Sequence, residues 1–152
     1  MKSMTLFRIG AVLALASATS GAYAQDGDAQ SLADNWAQAY NRHDGSALAA
    51  LYTQDAHLYV HGAPMIVGRD AIEAFWADDF EEGNPLTLLT VTNAVEGFDM
   101  VLVHGNYQVV DRVDGVELGF GRFAHIWHNE GGGEWHLHSD LWNQPFEEFD
   151  TD

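Results

Sequence analysis

Cysteine is absent from the 152 residues, which removes disulfides, thiolate nucleophiles and thiolate zinc sites together. Basic residues are scarce too: six Lys and Arg stand against 23 Asp and Glu, a formal net charge of −17. Binding to nucleic acid depends on Lys and Arg displacing counterions from phosphates, and anionic lipid is repelled by the same surface. Neither is therefore an expected partner. No Gly-rich phosphate loop follows a strand pattern and no Gly-x-Ser-x-Gly elbow occurs, so nucleotide and serine-hydrolase chemistry fall away. Long apolar runs are missing as well. The run Ile9 to Ala18 is too short to cross a bilayer, which takes about 20 residues.

That run has a different meaning. Lys2 and Arg8 precede it and Ala22-Tyr23-Ala24 follows it, the charged, apolar and small-residue order of a secretory signal peptide. The expectation is a signal over residues 1–24, a domain over 25–145 and an acidic tail over 146–152. The mature protein is then periplasmic or secreted, with no membrane insertion after cleavage. Its only basic residues are Arg42, Arg69, Arg112 and Arg122 against the same 23 acids, a charge of −19.

Leu32, Trp36 and Tyr40 recur at helical spacing and predict a first helix. Asp44 is an N-cap candidate for a short second helix with Leu48, Leu51 and Tyr52 on its apolar side. The stretches Ala56 to Val60 and Met65 to Val67 read as short strands around the turn Gly62-Ala63-Pro64. A third helix follows Gly68, with Asp70 and Glu73 at capping-box spacing and Ile72, Phe75, Trp76 and Phe80 on one face. Gly83-Asn84-Pro85 stops it. From there four strands are predicted, Leu86 to Val95, Met100 to Val110, Val116 to His128 and Trp135 to Trp142. Helices first and an antiparallel meander afterwards give an α+β layer rather than alternating parallel units.

Three segments carry a family resemblance: Trp36-x3-Tyr40-Asn41-x2-Asp44-x3-Leu48-x2-Leu51-Tyr52-x2-Asp55-Ala56, Gly68-Arg69-Asp70-Ala71-Ile72-x2-Phe75, and Gly133-Glu134-Trp135 through Asp140-x-Trp142-Asn143. In this order and spacing the chain resembles the SnoaL-like and ketosteroid isomerase-like members of the nuclear transport factor 2-like superfamily. The resemblance implies three helices on a curved, mostly antiparallel six-stranded sheet, forming a cone that is often dimeric and holds an apolar pocket with a few polar groups. It leaves function open, because the fold hosts isomerases, cyclases, dehydratases, epoxide hydrolases and non-catalytic binders.

Strand register proposes the site. A two-residue hairpin at Asp114-Gly115 sets Tyr107 opposite Arg122, and a loop from Asn129 to Gly133 sets Arg122 opposite Asp140 and Ala124 opposite His138. One face then gathers Tyr107, Arg122, Asp140, His138 and Trp142. On this reading Asp140 handles a proton, Tyr107 and His138 donate to a substrate oxygen, and Arg122 fixes charge. The alternative is a buried Arg122–Asp140 pair that serves architecture. The expected pocket wall is Trp36, Tyr40, Tyr59, Trp76, Phe120, Trp142 and Asn143. Phe123, Trp127 and Trp135 fall on the other face, which is assigned to a homodimer contact. The run His136-x-His138-x-Asp140 is an imidazole and carboxylate pattern able to hold zinc, and it is similar to the metallo-β-lactamase motif, but Leu141 stands where that family has another His. No metal is assigned, with zinc at His136, His138 and Asp140 left as an open alternative, and for want of a cofactor signature no cofactor is expected. The expected ligand is a small lipophilic molecule, met by a cofactor-independent isomerase, cyclase or lyase, or by a non-catalytic binding or accessory domain. One reservation applies to the register: a bulge, for which Gly119 and Gly121 are candidates, would send Asp140 to the other face relative to Arg122.

Overall fold

A computed structural model describes residues 26–83 and 85–144, so the expected signal segment and acidic tail lie outside the described residues. Three helices, α1 (Asp26–Asn41), α2 (Gly45–Ala49) and α3 (Arg69–Glu82), accompany six strands: β1 (Tyr52–Tyr59), β2 (Ile66–Val67), β3 (Pro85–Glu96), β4 (Met100–Asp111), β5 (Glu117–Asn129) and β6 (Trp135–Asn143). The strands form one sheet in the order β2-β1-β6-β5-β4-β3. Among the described residues only the β1–β6 pair is parallel. The architecture is thus the α+β arrangement that the pattern and the resemblance imply.

Local chemistry explains the helix ends. Asp44 caps α2, its carboxylate accepting from the Ala47 N–H at 2.9 Å. The expected capping box on α3 is not used: Gly68 holds the N-cap position at φ 92°, a left-handed conformation that favours glycine, without a side-chain cap. Tyr52, expected on the second helix, is instead the first residue of β1, and its side chain is fully buried. α2 ends at Ala49, and Leu51 offers its carbonyl to the Leu137 N–H at 2.7 Å, which starts the parallel pairing with β6.

The helical layer is fastened to the sheet at its edge. β3 is an edge strand, with a row of backbone groups that need partners. Side chains at and just beyond the ends of α1 supply them at alternate residues. The His43 ring nitrogen Nε2 lies 2.9 Å from the Pro85 carbonyl. Asn41 donates to the Thr87 carbonyl at 2.9 Å and accepts from the Thr87 N–H at 2.7 Å. Gln30 donates to the Leu89 carbonyl at 3.1 Å and accepts from the Val91 N–H at 3.0 Å. Between Thr87 and Val91 the two amides therefore stand in for a seventh strand and occupy the backbone groups that another edge would pair with.

The strand registers differ from the expected ones at two bulges. The β4–β5 turn is not a two-residue hairpin. Asp111 accepts from the Val113 and Asp114 N–H groups, and its own N–H bonds to the Val116 carbonyl. Leu118 is then an extra residue, since Val110 pairs with Glu117 but Val109 with Gly119. Tyr107 consequently faces Gly121 rather than Arg122. In the β5–β6 pair His138 is the extra residue, because Trp127 pairs with Leu137 but Ile126 with Ser139. Arg122 faces Asn143, and Asp140 faces His125. The expected Arg122–Asp140 pair does not form. A shift of one residue in the first pair and of three in the second each reverse the face of a side chain.

The core follows from this register. Phe123 and Trp127, expected at a dimer contact, are buried with Val101, Val103, Leu137 and the aromatic side chains of α1 and α3. Asn41→Ala tests the edge clamp. It strands the N–H of buried Thr87 and should lower unfolding free energy by about 2–3 kcal/mol, with an unchanged denaturant slope in urea titration.

Candidate active site

A cavity of about 330 Å³ opens between α1, α3 and the concave face of the sheet, a size suited to a small organic molecule. Trp36 and Tyr40 of α1 and Phe75 and Trp76 of α3 form its helical wall. Trp36 and Tyr40, four residues apart, share one face of α1. Tyr107, Val109, Phe123 and Trp142 form the sheet wall. Rings meet closely here: Trp36 and Tyr40 stack at 5.3 Å, and Trp76 stands edge-on to both.

A buried polar chain lies in this aromatic lining. The Tyr52 hydroxyl donates to Asp140 Oδ2 at 2.6 Å and accepts from the indole N–H groups of Trp36 at 2.8 Å and Trp76 at 3.3 Å. The other oxygen of Asp140, Oδ1, lies 3.2 Å from His125 Nε2. Asp140 and His125 are both buried and both line the cavity. A carboxylate accepts only, so its contact calls for a proton on Nε2, and in the neutral ring Nδ1 is then the acceptor. Nδ1 is buried and meets no partner among the described residues. Such an atom costs free energy unless a ligand or a proton meets it.

Three phenols in and around the cavity are shifted upward. Burial holds Tyr52 well above its ordinary value of 10.0, and the neighbouring Asp140 adds to the effect. Burial also raises Tyr40, reinforced by Asp79, to which its hydroxyl donates at 2.9 Å. Burial alone raises Tyr107.

Of the residues expected at the site, the structure brings Asp140, Tyr107, Trp36, Tyr40, Trp76 and Trp142 to the cavity. Tyr107 and Asp140 share a face because the two register shifts, both odd, cancel between them. The others lie elsewhere. Arg122 and Phe120 are exposed on the convex face of the sheet, on residues that alternate with the inward Phe123 and His125. Tyr59 is exposed and stacks on His57. Asn143 accepts from the Arg122 backbone N–H at the sheet rim. His138, lifted out by its bulge, joins His57 and His128 on the convex side, with Nδ1 3.1 Å from Thr53 Oγ1. Nearby Asp55 is exposed, and its carboxyl is held low by the Thr53 hydroxyl first. The His136-x-His138-x-Asp140 run thus does not converge. Among the described residues no cluster of three or more His, Asp or Glu side chains is arranged to hold a metal ion.

Two residues of the site, His125 and Tyr52, escape the sequence reading. The unbulged register sends His125 to the opposite face. The bulky alternation Phe123, His125, Trp127 against Ala124 and Ile126 is the signal that points inward.

Tyr52→Phe probes the buried chain. It leaves two indole N–H groups unpaired and Asp140 short of a donor, and should lower stability by roughly 2–4 kcal/mol. It also has a pH signature. Because Tyr52 stays protonated in the fold, stability is fully present below pH 10.0 and falls above it, as the unfolded phenol ionises and the buried one does not. The alkaline slope of stability should be shallower in Tyr52→Phe than in the parent. Tyr40 and Tyr107, raised in the same direction, keep it from vanishing.

The comparisons with known proteins agree with this architecture. The profile of the SnoaL-like domain matches residues 33–138. A Mycobacterium tuberculosis protein of unknown function superposes with a TM-score of 0.71 at 19% identity, over 80% of this chain and 76% of its own. A ketosteroid isomerase-like protein from Erwinia carotovora does so with a TM-score of 0.65 at 20% identity, over 78% and 94%. A nuclear transport factor 2-like protein of unknown function from Pseudomonas putida gives 0.66 at 21%, over 80% and 87%. Similarity at these identities establishes the fold alone. No curated protein matches the sequence. With the family profile spanning most of the chain on top of the cone architecture, the protein belongs to the SnoaL-like domain family.

Proposed function

We propose that the protein binds a small lipophilic organic molecule in the cone cavity and moves a proton on it without a cofactor, as an isomerase or lyase. The observation that carries this reading is the His125–Asp140 pair at the cavity wall, with His125 Nδ1 buried and unpartnered among the described residues. Asp140 orients the ring and stabilises the imidazolium that forms when Nδ1 takes a proton. The Tyr52 hydroxyl and the two indoles hold Asp140 in place. A second reading, a non-catalytic binding or accessory domain, is favoured by the closure of Asp140 between two protein partners, which leaves it no free face toward a substrate.

Export rests on the order Lys2, Arg8, Ile9 to Ala18 and Ala22-Tyr23-Ala24. A homodimer rests on the convex sheet face, where Leu88 and Phe120 are exposed beside Gln108, their common partner residue in β4. Both are checked on one preparation: exported protein should begin at Gln25 and sediment as a dimer at micromolar concentration, and a chain starting at Met1 or a monomer would refute the respective expectation.

Chemistry is separated from binding by incubating the protein with a panel of lipophilic ketones in deuterium oxide. Deuterium uptake at the carbon beside the carbonyl and the thermal shift are measured together. Uptake that falls about 100-fold or more in His125→Gln supports proton transfer by His125. Stabilisation without uptake supports the binder, and the absence of both for every compound would refute the ketone-directed reading.

A further inference from the structure

The charge and ring chemistry of the cavity wall narrow the ligand further, on the reading that the cavity is the binding site. Among the described residues three acidic side chains line it, Asp79, Glu82 and Asp140, and neither Lys nor Arg does. The four arginines among the described residues are engaged or directed elsewhere. Arg69 donates to the Tyr52 carbonyl and Arg112 to the Asn41 carbonyl. Arg122 is on the convex face, and Arg42 does not reach the lining. An anionic ligand would meet three acids and no counter-charge.

The hydrogen-bond donors of the aromatic wall are also largely spent. Both indole N–H groups of Trp36 and Trp76 point to the Tyr52 hydroxyl, and the Tyr40 hydroxyl is committed to Asp79. What these rings leave for a ligand is carbon and π surface. They stand as two walls of a corner: Trp36 and Tyr40 are inclined by only 14°, whereas Trp76 meets them at 75° and 89°. Trp142 stacks against Trp76 at 5.8 Å and extends the second wall. Rings set around a site, with acids beside them and no cation, attract a positively charged organic group through their quadrupoles. The net charge of −17 draws cations toward the same opening.

We infer that the cavity selects a lipophilic cation, a tertiary or quaternary amine carried on an apolar body, over neutral and anionic molecules of the same shape. Asp79 and Glu82 face the charge, and the Trp36, Tyr40 and Trp76 corner takes its alkyl groups.

The test is a tryptophan fluorescence titration with three probes of matched size: benzyltrimethylammonium, its uncharged carbon analogue neopentylbenzene, and phenylmethanesulfonate. The cation should bind at least 10-fold more tightly than neopentylbenzene, and the sulfonate should not bind. Asp79→Asn keeps an acceptor for Tyr40 and should weaken the cation about threefold while leaving neopentylbenzene unchanged. Equal or tighter binding of neopentylbenzene overturns the cation preference and leaves the cavity as a ligand site. A cation affinity that Asp79→Asn does not alter overturns it too, since the ammonium is then held elsewhere on the acidic surface. If none of the three probes binds, the cavity reading falls together with the preference.

Discussion

One hydroxyl ties the molecule together. The Tyr52 oxygen on β1 reaches Asp140 on β6 and takes the indole protons of Trp36 on α1 and Trp76 on α3, and Asp140 passes the contact on to His125 on β5. Five elements thus converge on one buried polar chain. A phenol can serve this role because it donates once and accepts twice in a small volume, and here all three capacities are used. Phenylalanine would fill the space and connect nothing. The residues that hold the helices against the sheet are also the chain that reaches the His125 imidazole, the base of the proposed reaction.

A second constraint acts at the rim. The edge of β3 is closed by Asn41 and Gln30 of α1, which sets the height of α1 along the sheet. That placement puts Trp36 and Tyr40 over the concave face, where α3 completes the aromatic corner. The cavity is therefore a consequence of how two amides satisfy an edge strand. Its walls are structural core on one side and cavity surface on the other, which is why a small domain can hold an opening of this size without losing its packing.

Much of this is legible in the amino-acid sequence. Helical periodicity at Leu32, Trp36 and Tyr40, alternation after Pro85 and the turn residues between strands place every major element within a few residues, and helix-lined aromatics such as Trp76 are readable as pocket wall. The register is not legible. Gly119 and Gly121 mark the neighbourhood of the first bulge, at Leu118, but nothing in the composition marks the second, at His138, and the two reverse which side chains face inward. Arg122 and His138 go to the convex face for that reason, and His125 is hidden by it. Asp140 and Tyr107 keep their shared face only because two odd shifts cancel. Tyr52 is concealed differently: Leu48, Leu51 and Tyr52 continue a helical pattern, but the chain leaves the helix at Ala49 and the parallel pairing to β6 takes over.

The central claim is that Asp140 fixes the neutral His125 ring with its proton on Nε2, so that the proposed base is Nδ1, which meets no partner among the described residues. Long-range nitrogen–proton correlation of the His125 ring measures this directly in solution, at a pH where the ring is neutral. A proton on Nε2 and a pyridine-like Nδ1 are the predicted result. A proton on Nδ1 with Nε2 bare would contradict it.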